Sequence, residues 1–336
     1  MKKILLFGLT AMIMLNACSK KDKESAGGED DPGKIIPEIP FDQLPASSTS
    51  LTVDGNTRYV NVMGNQRKQL PEFANLQAKS NKVRGYVKDT YGRPVKNASI
   101  GVRSSVVGGV STPAYGVTND KGYYEFEVPF GVAEFYNTGV AVDFEGNRAA
   151  LGLYPADGEL STWSGPSGAV ENFVLLPYGQ GDPAELATEA WIPNNYFGGN
   201  MTLGWEIWDA TYSPDGLPLG SKFTIKLTPL SLFHAAEKKT FIIVKTVGNM
   251  HQSMEIVNLP LGKYKVEVSA PAGDAYLVET FFNPREGQYG LTPKTGTRHT
   301  PSYIHVTIPR TGNGNEVLPY RGDWQEVAVD VKKYSS

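Results

Sequence analysis

The residues that first suggest chemistry are a histidine and a glutamate three positions apart. His234 and Glu237 have the spacing of a pair of zinc ligands, and His299 or His305 could supply a third. Three such ligands and a water molecule would form a hydrolytic zinc site. The pattern is short enough to arise by chance, and only about a hundred residues with strand periodicity follow Glu237. We therefore expect no metal and no cofactor, and a metal-dependent hydrolase is the least favoured function.

Other catalytic patterns are also incomplete. Ser167 lies in Gly-Pro-Ser-Gly, which lacks the spacing of a nucleophile elbow, and no glycine-rich loop ends in Lys-Ser or Lys-Thr. Asp143 and Glu145 are typical of solvated acids at a strand edge rather than of a glycosidase pair. We therefore expect a protein without catalytic residues.

Aromatic residues are concentrated in one stretch of the second half of the chain. Their exposed rings could stack on the flat C–H faces of sugars, while Asn194, Asn195 and Asn200 could bond the hydroxyl groups. Alternatively, the rings pack the core, as expected for Trp205 between Leu203 and Ile207. The candidate ligand-binding residues are Trp191, Tyr196, Trp208 and Tyr212, together with Trp163 earlier in the chain.

The N-terminus suggests attachment of a lipid. Lys2 and Lys3 precede an apolar run over residues 4–15, which is too short to span a bilayer, and Leu15-Asn16-Ala17-Cys18 follows. This tetrapeptide resembles the lipobox of bacterial lipoproteins. The resemblance implies that residues 1–17 are a cleaved signal peptide and that Cys18 carries a diacylglycerol. A membrane, through the lipid on Cys18, is then the first expected partner.

Residues 18–81 are predicted to contain the lipidated cysteine, a flexible tether to about residue 50 and a hairpin over residues 51–63. The charged run at residues 20–24 resembles the export signals of Bacteroidetes surface lipoproteins. That resemblance implies a lipid-anchored outer-membrane protein, exposed at the cell surface. A merely soluble linker is the alternative.

Composition narrows the possible partners. The 336 residues carry a net charge of −3, and removal of residues 1–17 leaves 30 basic and 35 acidic residues, a net charge of −5. This balance argues against a nucleic-acid partner, which would require a basic face. Cys18 is the only cysteine, so the mature chain contains no intrachain disulfide and no thiolate metal site.

Residues 82–178 show the alternation of β-strands, for example over residues 83–88 and 123–128. They resemble a carboxypeptidase regulatory-like domain, which implies a transthyretin-like β-sandwich; residues 145–168 depart from that pattern as a possible functional loop. The residues that carry the resemblance are Val83, Gly85, Val87, Asp89, Gly92, Pro94, Val95, Ala98, Ile100, Thr118, Gly122, Tyr124, Phe126, Val128 and Pro129.

Residues 185–336 again alternate, as in Phe223-Ile225-Leu227 and Tyr264-Val266-Val268. The predicted fold is therefore all-β, with two β-sandwich domains of transthyretin-like or immunoglobulin-like type.

These features favour a non-enzymatic surface lipoprotein that binds a glycan or an outer-membrane partner protein. The alternative is a fimbrillin-like structural subunit, matured by proteolysis after a basic residue such as Arg58 or Arg67 and then polymerised.

Overall fold

A computed structural model describes residues 33–66, 69–106, 108–144, 147–270, 275–279, 302–306, 316–323 and 328–333. Cys18, the predicted signal peptide and His299 lie outside these ranges. Of the helices in the described part of the chain, none has the length and apolar character needed to cross a membrane.

The described residues form twenty strands and one α-helix, α1 (Pro183–Glu189). Short 3-10 turns occupy Phe41–Gln43, Gly165–Ser167, Pro193–Asn195 and Ala235–Glu237. The strands are β1 (Ser48–Val53), β2 (Tyr59–Asn61), β3 (Lys82–Asp89), β4 (Ala98–Ser105), β5 (Ser111–Val117), β6 (Tyr123–Glu127), β7 (Val132–Phe144), β8 (Asn147–Gly152), β9 (Tyr154–Pro155), β10 (Trp163–Ser164), β11 (Ala169–Val170), β12 (Phe173–Leu175), β13 (Gly199–Trp205), β14 (Lys222–Leu232), β15 (Thr240–Thr246), β16 (Ser253–Leu259), β17 (Gly262–Ser269), β18 (Ala275–Glu279), β19 (Ser302–Val306) and β20 (Ala328–Lys333).

The first sandwich is built from β3 to β12. One sheet has the order β10-β7-β4-β5, with β8 also on β7, and the other has the order β11-β3-β12-β9, with β6 on β3. Apolar side chains from both sheets form one core that includes Val83, Val87, Ile100, Val102, Tyr124, Phe135, Val140 and Phe173. Within residues 145–168, predicted as a functional loop, the segments 147–152, 154–155 and 163–164 instead pair with β7 or β12 as strands.

The second sandwich is built mainly from the C-terminal half of the chain. Its sheets have the orders β1-β15-β14-β17-β19 and β18-β20-β13-β16-β2. Alternate residues of each strand point into the core, as the period of two predicts. The core includes Leu203, Trp205, Phe223, Ile225, Leu227, Phe241, Ile243, Ile256, Tyr264 and Val329. The prediction of an all-β, sandwich-type fold is confirmed.

The predicted hairpin at residues 51–63 is wrong. β1 pairs in parallel with β15, whereas β2 pairs in parallel with β16, so the two strands join different sheets of the second sandwich. The turn between β1 and β2 supplies hydrogen-bond acceptors to a buried lysine. The Lys245 ammonium donates to the carbonyls of Asp54 and Thr57. This contact with a distant strand explains why the local pattern is misleading.

The segment before β1 was predicted as part of a flexible tether. From residue 36 onward it is instead hydrogen-bonded to residues of the two sandwiches. The Ile36 N–H donates to the Tyr91 carbonyl at 2.8 Å. The Glu38 carboxylate accepts from Arg93 in the first sandwich and from the Ala235 N–H in the second, both at 2.9 Å. We call residues 33–61 the strap, because they contact both sandwiches.

The strand β3 is buried on both faces rather than on one. Residues 70–77 contribute to this, since Leu76 and Phe73 pack with Tyr86 on the face away from the sandwich core. The Lys88 ammonium, on a side chain that is 0% exposed, donates to the Glu72 carbonyl at 2.7 Å. Alternation therefore predicts the strand but not the burial of its second face.

Candidate ligand-binding site

Two of the five aromatic candidates belong to the protein interior. Tyr196 is 1% exposed, and its hydroxyl donates to the Ala190 carbonyl at 2.7 Å. Trp163 is half-buried and packs on the first core, with its ring centroid 4.8 Å from that of Phe135. A ring that packs in this way offers little surface to a ligand, so we leave both residues out of the site proposed below.

Trp208 and Tyr212 lie on the loop between β13 and β14 and are exposed, at 50% and 87%. The loop is ordered by Asp209, whose carboxylate accepts from the N–H groups of Thr211 and Tyr212 at 2.8 and 2.9 Å. Hydrogen bonds from these two N–H groups, that of Tyr212 first, lower the pKa of Asp209. The two rings are thus displayed on a short, internally bonded turn.

Trp191 follows α1 and is placed by the ends of that helix. Asp182 begins the helix by accepting from the Ala184 N–H at 2.8 Å, as an N-cap does. After the helix, the Asn195 amide donates to the Glu189 carbonyl at 3.0 Å and closes the chain into a 3-10 turn. Trp191 and the residues that follow it line a cavity together with residues of β13 and β16.

A cavity of about 240 Å³ lies between the Trp191 segment and this sheet; we call it the Trp191 cavity. Two of its residues face each other across neighbouring strands: the Thr202 hydroxyl on β13 donates to the Glu255 carboxylate on β16 at 2.7 Å. Its lining residues are Trp191, Ile192, Pro193, Asn194, Asn200, Thr202 and Glu255.

Asn200 is the most unusual residue of the cavity. It lies opposite an irregularity in the pairing of β13 with β16, where Asn200 alone on β13 stands against Val257 and Asn258 on β16. Asn200 keeps the alternation of β13, since it lines the same cavity as Thr202 two residues further along the strand. Asn200 is 3% exposed, and its Nδ2 has no hydrogen-bond partner among the described residues. A buried amide nitrogen without a partner requires an explanation, and a ligand in the adjoining cavity would provide one.

Arg58 holds Trp191 from the side of the strap. Its guanidinium carbon lies 3.3 Å from the centre of the Trp191 ring system, as in a cation–π contact. Its carbonyl accepts from the Glu255 N–H at 2.8 Å. Arg58 therefore fixes two residues of the cavity and covers one face of the Trp191 ring.

The chemistry of the cavity suits binding rather than hydrolysis. It combines an aromatic ring, two amides, a hydroxyl and a carboxylate, which are the groups that recognise sugar hydroxyls and apolar sugar faces. Hydrolysis of a glycosidic bond ordinarily requires two carboxyl groups, and Glu255 is the only one among the residues that line the cavity.

His234 and Glu237, which have the spacing of zinc ligands, lie at the junction of the two sandwiches. His234 is 1% exposed, with Nδ1 3.3 Å from the Thr90 hydroxyl and its ring 5.1 Å from that of Tyr91. Glu237 is also buried, and His305 lies on the edge strand β19. In the described part of the chain, no group of three His, Cys, Asp or Glu residues could hold a metal ion.

The sequence analysis grouped Trp191, Asn194 and Asn200 as one candidate site because they are close in the chain. It missed Thr202, Glu255 and Arg58, which join the site through strand pairing and through the strap. The irregularity of β16 opposite Asn200 has no sequence signal that we can identify.

No protein-family model matches the chain, and no curated protein matches it. The resemblance of residues 82–178 to regulatory-like domains therefore stays a prediction. Among solved structures, the chain is similar to a chlorocatechol 1,2-dioxygenase from Pseudomonas putida, at 14% identity and a TM-score of 0.17, covering 42% of this chain and 70% of that one. It is also similar to a streptococcal ancillary pilin, at 14% identity and a TM-score of 0.20, covering 75% of this chain and 62% of that one. At such low scores, neither similarity supports an argument about function.

Proposed function

We propose that this protein is a non-enzymatic, lipid-anchored surface protein that binds a glycan in the Trp191 cavity. The observation that carries the proposal is the buried Asn200 amide, whose Nδ2 has no hydrogen-bond partner among the described residues and which lines the same cavity as the Trp191 ring. A sugar oxygen would accept a hydrogen bond from this amide, while a sugar hydroxyl would donate to Glu255. The exposed rings of Trp208 and Tyr212 form a second surface on which a sugar face could stack.

The proposed location rests on Cys18 and the apolar run before it. Two acyl chains on one cysteine are enough for stable attachment to a membrane. Metabolic labelling with palmitate tests this part: we expect label on the wild-type protein and none on Cys18→Ser. An unlabelled wild-type chain would contradict the anchor.

Glycan binding is tested on an array of bacterial and host glycans with the purified chain from residue 19. We expect a bound glycan whose affinity falls at least tenfold in Asn200→Ala and Glu255→Gln, with circular dichroism unchanged. Tyr115→Ala is the matched control, because Tyr115 is an exposed aromatic residue of the first sandwich. An array with no bound glycan would contradict the proposal and favour a partner protein instead.

One observation favours the structural-subunit alternative. Cleavage after Arg58 would cut the strap and could release β1 from the edge of its sheet, where a strand from another copy could pair with β15. The same cleavage would take two carbonyl partners from the buried Lys245 ammonium, which argues against it. Ladders of high-mass species from cell surfaces would support this alternative, and a single intact band would contradict it.

A further inference from the structure

Exposed apolar side chains are concentrated at one end of the first sandwich. Val106 and Val110 lie between β4 and β5, while Phe130 precedes β7 and Val132 begins it. Their exposed fractions run from 41% for Val106 to 77% for Phe130. We call these four residues the apolar tip. Exposed apolar residues that are scattered singly are ordinary, whereas a contiguous group marks a surface that contacts a protein or a membrane.

The four side chains of the apolar tip lie on neighbouring segments. The Val106 N–H donates to the Val110 carbonyl at 3.2 Å. Val132 pairs with Ser105, the residue before Val106. A Cβ placed on Gly131, the residue before Val132, would lie 3.3 Å from a methyl group of Val106. The tip is therefore one continuous surface rather than four separate residues.

The apolar tip carries no charge. Residues 104–117 and 128–133 contain no Asp, Glu, Lys or Arg. Arg103 and Glu134, which border these ranges, pair with each other at 2.6 Å. Burial of such a surface in hydrocarbon removes apolar area from water without the large cost of desolvating a charge. The tip is thus suited to an apolar phase and offers no counter-charge to an acidic or a basic partner.

The apolar tip lies at the end of the first sandwich that is away from the second sandwich. The Val128 N–H donates to the Asn81 carbonyl at 2.8 Å, so the tip lies beside the start of β3. The other end of β3 leads to Thr90, whose hydroxyl lies 3.3 Å from Nδ1 of His234 in the second sandwich. Since each residue of a strand advances about 3.3 Å, β3 separates the tip from this junction by about 23 Å.

We infer that the apolar tip lies on the lipid bilayer to which the chain is anchored. This inference rests on the proposed lipid on Cys18. Gly33 lies beside Lys88, near the end of β3 that is far from the tip. The 15 residues from Cys18 to Gly33 can span up to about 50 Å. That length exceeds the length of β3, so the acyl chains and the tip can occupy the same membrane. The second sandwich, which contains the Trp191 cavity, then projects away from the lipid.

A second copy of the chain is the other occupant to consider, through pairing at the edge strand β5. The Thr118 N–H donates to the Ala98 carbonyl, and hydrogen-bonded pairs alternate along an antiparallel ladder. The backbone of Pro113 on β5 therefore faces away from β4, toward the open edge of the sheet. Proline has no N–H to offer an added strand, and it commonly protects sheet edges in this way. The observations therefore favour a bilayer.

Fluorescence quenching by nitroxide lipids tests the inference. The lipidated protein is purified from membranes and reconstituted into phosphatidylcholine vesicles, with or without a lipid that carries a nitroxide on its acyl chain. Since Cys18 is the only cysteine and the lipid occupies its sulfur, an introduced cysteine takes up a fluorophore selectively. Ser111→Cys places the fluorophore beside the tip. Ser253→Cys, at another exposed serine, places it on the second sandwich as the matched control.

We expect the nitroxide lipid to quench the fluorophore beside the tip at least threefold more than the fluorophore on the second sandwich. Adding Val110→Ser/Phe130→Ser should remove at least half of the quenching beside the tip, with circular dichroism unchanged. Leu219→Ser/Met250→Ser also replaces two exposed apolar residues, both outside the first sandwich, and should leave the quenching as it is.

Equal quenching at the two positions, or quenching that Val110→Ser/Phe130→Ser leaves unchanged, would overturn the inference while the lipid anchor stands. A fluorophore beside the tip that shifts its emission as protein density rises, but is not quenched by the nitroxide lipid, would show that a second copy covers the tip. That result would also overturn the inference. A wild type without palmitate label would overturn the proposed anchor itself, and this inference with it.

Discussion

Glu171 shows how a single buried carboxyl group can make stability depend on pH. It precedes β12, and its backbone joins neighbouring strands: its N–H donates to the Arg84 carbonyl, and its carbonyl accepts from the Tyr124 hydroxyl. Burial and, to a lesser degree, the nearby Asp157 raise the pKa of Glu171 to about 8. The folded protein therefore holds this proton at pH values where the unfolded chain has lost it.

This raised pKa predicts the effect of Glu171→Gln. The native carboxyl group disfavours folding as pH rises from about 4.5, and the penalty is complete above about pH 8. Since one pKa unit corresponds to about 1.4 kcal/mol, we expect the variant to be more stable by roughly 2–4 kcal/mol at pH 9 and little changed at pH 4. Urea unfolding at the two pH values measures the difference.

Glu159→Gln is the control for this prediction, because Glu159 is an exposed acid in the same part of the chain. Its effect should stay within about 0.5 kcal/mol at both pH values. Equal stabilisation by Glu171→Gln at pH 4 and pH 9 would show that the buried charge is not the cause.

At the scale of elements, the strap depends on the Glu38 carboxylate. Burial alone would raise the pKa of Glu38, but hydrogen bonds from the Ala235 N–H and from Arg93 outweigh this effect and lower the pKa. A lowered acid pKa stabilises the folded form above the unfolded value of about 4.5, and this contribution disappears as pH falls through the folded value.

We therefore expect Glu38→Ala to loosen the strap and the turn at residues 89–93 without unfolding the sandwiches. Hydrogen exchange at the Ile36 and Ala235 amides should become several-fold faster at pH 7, while exchange in β14 stays unchanged. As pH falls through the lowered pKa of Glu38, the protection of these amides in the wild type should approach that in the variant. Asp42→Ala replaces an exposed acid of the same segment and should have no effect. Unaltered exchange in Glu38→Ala would show that the Glu38 carboxylate does not hold the strap in place.

Elements were predictable from the sequence where pairing is local and one face is buried. Alternation placed Phe223, Ile225 and Leu227 in the core, and the structure confirms this. It failed for residues 51–61, because β1 and β2 pair in parallel with strands about two hundred residues away. The burial of Lys88 and Lys245 could not be predicted either, because the carbonyls of Glu72 and Thr57 that accept from their ammonium groups lie in other segments of the chain.

The candidate site was predictable to a similar extent. Residues close in the chain, such as Trp191 and Asn200, could be grouped by their side-chain types alone. Glu255 could not, because only the pairing of β13 with β16 brings it to the cavity.

At the scale of the whole molecule, the sandwiches share a third cluster of buried side chains. Tyr154, on β9 of the first sandwich, is 4% exposed and packs edge to face on Phe197, which precedes β13, at 5.7 Å, and on Tyr320 at 5.5 Å. Val174 and Leu176 complete the cluster. Together with the strap, this shared core couples the two sandwiches, so we expect them to unfold as one unit.

Differential scanning calorimetry of the wild type should accordingly show a single transition, and Tyr154→Ala should divide it into two. Replacing a buried aromatic residue by alanine removes about 3–5 kcal/mol, and here the loss falls on contacts between the sandwiches as well as within one. Tyr115→Ala, which removes an exposed ring, should keep the single transition. Two transitions in the wild type would mean that the cluster does not couple the sandwiches. A Tyr154→Ala protein with one transition at lower temperature would mean that the strap alone is sufficient to couple them.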